Sequence, residues 1–314
     1  MTTPEPRRQC PVCSSAQVRL FARARDVEYY TSDESYSYLE CMSCNSVFLD
    51  SPPTDQLAKI YPVNYYSYDS NLQKTSFTAR VKEFLDARLF QSLLRRIPGE
   101  NLNVLDVGGG AGWLLSTIRK VSPRVKATHE IDINERARPA AEAAGHFFHC
   151  TRVEDFSSSE SFDLILLLNL IEHVADPAAV LSAMHKLLAP GGLILIKTPN
   201  IDTLDCHLFR HHNWGGFHCP RHFVLFNRQS LMDLAQRSGL QTTRATYTQG
   251  APQWTCSILG WLGLKGWIRI SADHPLYMHP LYVPFCAVTA AFDFIRSPFM
   301  PTAQMFVVFR RAEK

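Results

Sequence analysis

Long apolar runs are missing from this chain. The strongly apolar stretch Leu281 to Phe292 is too short, and too interrupted by proline, to form a spanning helix. The N-terminal MTTPEPRRQCPVC lacks the apolar core of a secretory leader, so the expectation is a soluble cytoplasmic protein. Charge of one sign is also not in excess. A net charge of +3 provides no global basic field for nucleic acid. In a cytoplasmic chain, nine cysteines point to thiols or metal ligands rather than disulfides. Glycine is sparse, at 15 of 314 residues, yet Gly108, Gly109, Gly110 and Gly112 crowd into one loop.

Four cysteines are paired, Cys10 with Cys13 and Cys41 with Cys44, with 27 residues between the pairs. Each C-x2-C can turn two sulfurs toward one ion, and two such knuckles complete a tetrahedral thiolate site. The segments VRLFARARDVEYYTS and YSYLEC between them read as hairpin strands. The reading is a zinc-ribbon-like module over 1–50 with structural Zn2+, an iron–sulfur cluster being the alternative. Basic residues in 1–50 are matched by acidic ones, which argues against nucleic acid as its partner. Cys150, Cys206, Cys219, Cys256 and Cys286 show no paired spacing and read as buried thiols.

Residues 51–100 read as a linker, rich in proline and in tyrosines 61, 65, 66 and 68, followed by a helix. Phe77, Val81, Phe84, Leu85, Leu89 and Leu93 recur there at helical spacing, up to Pro98-Gly99. From residue 101 the pattern becomes strands (101–107, 124–131, 146–150, 162–170, 193–199) alternating with helices (112–121, 134–145, 176–192). Such alternation implies a mostly parallel sheet covered on both faces, with ligands beyond the carboxyl ends of its strands.

The glycine loop follows the first of these strands and opens a helix, the context in which it would cradle a ligand. A carboxylate at the end of the next strand, Glu130, or alternatively Asp132, is suited to bridge a ribose diol. The loop continues Gly112-Trp113-Leu114, so it lacks the Gly-Lys-Ser/Thr of a phosphate-binding P-loop.

The order Asp106-x-Gly108-x-Gly110-x-Gly112 resembles motif I of class I S-adenosylmethionine-dependent methyltransferases. FDLILLLNLIEHVADP (162–177), LLAPGGLILIKTPN (187–200) and NWGGFHCPRHFVLFNRQSLMDLAQRSGL (213–240) are similar to blocks in the branch containing ubiquinone-type and sugar methyltransferases. The paired-cysteine segment followed by IYPVNYYSY resembles members with an N-terminal zinc-binding region.

The resemblance implies an α/β fold: a Rossmann-like, seven-stranded, mostly parallel sheet over 101–314, ending in an antiparallel hairpin (240–248 and 302–312). An apolar insertion at about 251–300 reads as a helical pair, with a dimer face or peripheral membrane contact as alternatives. It also implies that Asp106, Gly108 and Gly110 lie by the methionine part of S-adenosyl-L-methionine, with Glu130 or Asp132 on the ribose. Val153 and Glu154 would adjoin the adenine, and Asn169 and Leu170 the amino-acid end, with Tyr65 and Tyr66 as a cap. Gly112 would allow close packing of the next helix.

Methyl transfer to a hydroxyl or carbon requires a general base, for which His222, Glu172 and His173 are the candidates. Arg221 reads as an anchor for an anionic acceptor or as a surface charge. His211, His212 and His218 read as part of a flexible acceptor-side lid. The expected activity is methylation of a small molecule (a sugar, polysaccharide precursor or natural product). The alternatives are a non-catalytic binding protein of the same fold and an RNA methyltransferase.

Overall fold

Two sheets organise the chain, whose computed structural model describes residues 9–65 and 77–312, the side chains of 77–81 excepted. The smaller sheet is antiparallel: β1 (Val18–Ala24), β2 (Tyr36–Cys41) and β3 (Val47–Leu49), completed by β9 (Val224–Leu225) from far along the chain. The segment read as one strand over 18–32 stops at Ala24. There Asp26 turns the chain, its carboxylate accepting from the amides of Tyr29 and Thr31 at 2.9 and 3.0 Å.

The larger sheet has the order β10-β11-β8-β7-β4-β5-β6. Its parallel part is β4 (Leu102–Val107), β5 (Val125–Asp132), β6 (Phe147–Cys150), β7 (Phe162–Leu168) and β8 (Leu188–Pro199). β10 (Leu240–Thr248) and β11 (Gln304–Arg311) close it as the antiparallel hairpin. The fold is thus the Rossmann-like α/β architecture read from the sequence. Strand order reverses beside β4, so the crevice beyond its carboxyl end is the natural ligand site.

Side-chain alternation along these strands serves two cores. Val104, Leu164, Leu166 and Leu195 join Phe90 and Leu93 of α2 (Phe77–Leu94), the helix after the single turn α1 (Leu57–Ile60), and Leu115 and Ile118 of α3 (Trp113–Val121). Leu105, Ile165 and Ile196 join α5 (Pro177–Leu187), α7 (Arg228–Arg237) and the apolar residues of the small sheet. Helix α2 departs from the expected stripe. Its contact runs through Phe90, Leu93 and Leu94, while Phe84 and Leu85 face solvent. The helix expected over 134–145 is a single turn followed by α4 (Arg138–Ala143). The one expected to 192 ends at Leu187, and β8 begins at once.

The cysteine module is fastened to the large domain at several points. Asn227, the N-cap of α7, donates to the carbonyls of Cys44 and Asn45, both at 3.2 Å. Arg237, at the other end of α7, donates to the Val12 carbonyl at 2.7 Å. Arg221 is fully buried and corrects its reading as a surface charge or anion anchor. It pairs with Asp26 at 2.9 Å, donates to the carbonyl of Ile60 at 2.6 Å and lies over the Tyr29 ring. Burial pushes the Asp26 carboxyl up, but the adjacent guanidinium outweighs it and holds Asp26 below the ordinary carboxylate range.

The segment 204–222 does not form an open lid either. It holds α6 (Leu204–Phe209) and then buries Trp214 and Phe217, with Phe217 stacked on Tyr38 at 4.3 Å. The insertion forms α8 (Ala251–Leu264) and α9 (Tyr282–Arg296), packed against each other.

Removing one member of the Asp26–Arg221 pair leaves a buried charge without its partner. Asp26→Ala or Arg221→Ala should therefore cost about 3–5 kcal/mol in chemical denaturation. A joint Asp26→Leu, Arg221→Met replacement should cost much less. Because Asp26 is depressed in the folded state, its contribution should be present at neutral pH and lost as pH falls through its folded value.

Candidate functional site

The glycine loop caps β4 with three residues in the left-handed region: Gly108, Gly110 and Gly112, at φ 79°, 64° and 72°. Two acids hold it from behind. The Gly109 amide donates to Glu130 Oε1 at 2.7 Å, and the Gly110 amide to Asp132 Oδ2 at 3.1 Å. A side chain at Gly109 would collide with the Asp106 carboxylate and come within 2.5 Å of Glu130 Oε2. At Gly112 it would meet the His146 ring at 2.5 Å.

Among the described residues, Asp106 Oδ2 and Glu130 Oε2 are buried acceptors with no hydrogen-bond partner. Burial, together with the neighbouring Asp132, raises the Asp106 carboxyl to about 7. Burial and Asp106 push Glu130 well above its ordinary value, and burial raises Asp132. Such a cluster is costly when empty and asks for a hydrogen-bond donor or a cation.

In front of the loop is a crevice of about 200 Å³. Gly108, Asp132, Val153, Glu154, Asn169 and Leu170 line it, and Tyr61, Tyr65 and His173 close it opposite. Glu130 is not on this wall. It lies fully buried beneath the loop, so the acid facing the crevice is Asp132, the alternative. Tyr66 and Tyr68 lie outside the described residues. The lining's basic side chain, Arg152, is paired with Glu154 at 3.3 Å. Among the described residues the crevice shows carboxylates and no free cation, which does not suit a pyrophosphate. The carboxylates fit the cationic amino-acid sulfonium end and ribose of an adenosyl cofactor.

A second cavity, of about 180 Å³, lies behind Asn169 and His173, which line both. Its other walls come from four regions: Glu28 and Tyr29 of the cysteine module, Lys197 of β8, His218 and His222, and Gln253, Tyr277 and Tyr282 of the insertion. His211 and His212 are exposed and line neither space.

The three sequence-level base candidates converge here. His222 Nδ1 donates to the Gly216 carbonyl at 2.8 Å, which leaves Nε2 as the lone-pair nitrogen, 4.0 Å from Glu172 Oε1. His173 Nδ1 lies 3.1 Å from the Arg221 carbonyl and 2.9 Å from the Tyr61 hydroxyl. Burial holds His173 at about 3 and His222 well below the usual imidazole range, so both are neutral. Glu172 is fully enclosed, accepts from Thr198 Oγ1 at 2.8 Å and is raised to about 7 by burial. His218, expected from the sequence in a flexible acceptor-side lid, is buried. Its Nδ1 is 3.0 Å from Glu28 Oε2, and its Nε2 is 3.1 Å from the Tyr65 hydroxyl. Glu28 carries no signal in the sequence; only its fold neighbour gives it a role.

The four paired thiols meet in one cage, each within 4.8 Å of the others. Cys10 and Cys44 sulfurs are 3.7 Å apart and Cys13 and Cys41 3.5 Å, too far for a disulfide. These spacings approach the edge of about 3.8 Å of a tetrahedron with 2.3 Å metal–sulfur bonds. The two knuckles share one backbone pattern: Ser14 donates to Cys10 O and Asn45 to Cys41 O, with φ 61° and 56°. The donor set suits a soft ion such as zinc.

A family model described as a methyltransferase domain matches residues 79–245, just over half of the chain. The chain belongs to this methyltransferase domain family. The glycine loop and the FDL…EHV…DP block thus point to the right family. The ubiquinone biosynthesis O-methyltransferase of Parvibaculum lavamentivorans is 35% identical over 129 residues, 40% of this chain and 48% of that protein. The same-named protein of Neisseria meningitidis is 31% identical over 160 residues, 44% and 66% of the two chains. The chain spans about half to two thirds of the length of these curated relatives. The solved structure of coclaurine N-methyltransferase, bound to N-methylheliamine and S-adenosylhomocysteine, shares the fold. Its TM-score is 0.50 at 12% identity, over 82% of this chain and 80% of that one.

Two outcomes follow for the crevice. Gly109→Ala should abolish measurable S-adenosylhomocysteine binding in calorimetry, because its methyl group must displace both buried acids. Asp106, raised to about 7, lies beneath the loop and off the crevice wall, as Glu130 does, so a cation bound above the loop favours its ionised form. Affinity should therefore rise with pH, by up to about tenfold between pH 6 and 8, with proton release below 7.

Proposed function

We propose that this chain is an S-adenosylmethionine-dependent methyltransferase acting on a hydroxyl or acidic carbon of a small molecule. The observation that carries the reading is the pair of cavities meeting at Asn169 and His173, one acidic and loop-bound, the other histidine-rich. S-adenosylmethionine supplies an electrophilic methyl group on a sulfonium. The Gly108–Gly110 backbone, with Asp106 beneath it, would hold its amino-acid end, Asp132 the ribose diol, and Val153 with Glu154 the adenine. Asn169 and Leu170 form the boundary past which the acceptor must present its nucleophile in line.

The proton-accepting group in this reading is His218. Glu28, bonded to its Nδ1, orients the ring and leaves Nε2, beside the Tyr65 hydroxyl, to take the proton. His222 and His173, held neutral by burial, shape the wall, and Glu172 supports them from behind. The cavity's size and mixed aromatic and amide lining suit a ring bearing hydroxyl groups, such as a sugar or a natural-product phenol. The names of the relatives, ubiquinone biosynthesis O-methyltransferases, support transfer to oxygen. In the thiol cage, Cys10, Cys13, Cys41 and Cys44 hold structural zinc, a closed site that keeps β1–β3 in place and does no chemistry.

Labelled S-adenosylmethionine, incubated with the protein and fractionated cell extract, should mark a small molecule; label confined to RNA or to nothing defeats the reading. With the acceptor in hand, His218→Ala should lower kcat/KM by about 10²-fold or more while cofactor affinity stays unchanged. Asp132→Ala should weaken S-adenosylhomocysteine by about 10–100-fold through lost charge-assisted hydrogen bonds, and Glu130→Ala should act mainly on stability. Metal analysis should return about one zinc per chain, as one four-thiolate site requires.

A further inference from the structure

Helix α9 is inside out for a helix on the surface of a water-exposed domain. Its two charged residues, Asp293 and Arg296, point inward. Asp293 accepts from Trp254 Nε1 at 3.0 Å, from the Gly250 amide at 2.8 Å and from Arg296 Nε at 2.8 Å. The residues it exposes are all apolar: Val283, Pro284, Ala287, Val288, Ala291, Phe292, Phe294 and Ile295. Val288, Ile295 and, just past the helix end, Phe299 are 69%, 71% and 87% exposed. An amphipathic surface helix presents the opposite arrangement, so burial of the Asp293 network does not account for the outward face.

The turn joining α8 to α9 adds a different chemistry. Lys265 and Arg269 are exposed on either side of Trp267, itself 69% exposed, against one exposed acid there, Asp273. An apolar helix face flanked by cations and an indole matches the interface of an anionic bilayer. A second copy of the chain would bring the same cations against themselves. At 15 residues, α9 is too short to cross, and no described helix is long and apolar enough to do so. A helix of this kind lies in the plane of the headgroups.

We propose that the outer face of α9, with Phe299 and the Lys265–Arg269 turn, docks this protein on the surface of an anionic lipid bilayer. The same hairpin supplies Gln253, Tyr277 and Tyr282 to the second cavity, so docking brings that cavity to the lipid surface. The docking claim itself does not depend on the catalytic reading.

The test is flotation of the full chain with vesicles of phosphatidylcholine, with and without phosphatidylglycerol. The protein should float with the anionic vesicles, less with the neutral ones, and the difference should shrink in high salt. Lys265→Glu with Arg269→Glu should remove that difference. Val288→Asp, Ile295→Asp and Phe299→Asp together should lower partitioning by at least about tenfold. Melting temperature and S-adenosylhomocysteine affinity should stay unchanged. Phe299→Asp alone, outside any helix, serves if the triple variant does not fold. Failure to float with anionic vesicles, or flotation unaffected by these substitutions, overturns the proposal. So does a dimer in light scattering that the same substitutions split, which would assign the face to a second copy.

Discussion

The buried contact between Asp26 and Arg221 is the constraint on which the rest of the active region depends. It ties a turn of the cysteine module to the loop that follows β8, with no water available to either charge. A pair so enclosed contributes little net stability but tolerates few alternative arrangements, because separating the charges leaves both unsolvated. Asp26 spends its remaining acceptor capacity on the amides of Tyr29 and Thr31, which fixes the segment carrying Glu28 and Tyr29. Arg221 reaches the carbonyl of Ile60 and orders the approach to Tyr61 and Tyr65. The thiol cage, held through Asn227 and Arg237 at the two ends of α7, keeps β1–β3 where this contact can form. The cysteine module is thereby a wall of the second cavity, not an appended domain.

The glycine loop follows a different logic, storing unfavourable electrostatics until a ligand arrives. Three carboxyls converge on a bend whose own amides satisfy only part of their acceptor capacity. Their raised affinities for protons measure that deficit. A cationic ligand with hydroxyl donors resolves it, whereas a polyphosphate would deepen it. Across the boundary His173 and His222 are kept neutral by burial, while Glu28 fixes the His218 ring through its Nδ1. The crevice side of this boundary thus gathers the carboxyls of the loop, and the other side the buried imidazoles together with Glu28 and Lys197.

The insertion works in two directions at once. Inward, Trp254 and Asp293 join it to the body of the domain and its tyrosines finish the cavity. Outward, it shows an apolar surface that packing among the described residues leaves uncovered.

Much of this was legible in the amino-acid order. Alternating apolar runs from residue 101 dictated the parallel sheet, since strands buried on both faces leave no polar period. The spacing of Cys10, Cys13, Cys41 and Cys44 dictated two knuckles, and the glycine run beyond β4 dictated a ligand-bearing bend. These signals are local, each set by backbone conformation or by one periodicity. Only the tertiary structure decided which of Glu130 and Asp132 faces the crevice, because strand pleat and loop closure bury one and expose the other. It alone turned Arg221 from a surface charge into an internal partner, moved His218 from a lid to the cavity wall, and joined Glu28 to it across 190 positions. Contacts at such separation leave no periodic trace in a sequence, since they depend on where two distant segments come to rest.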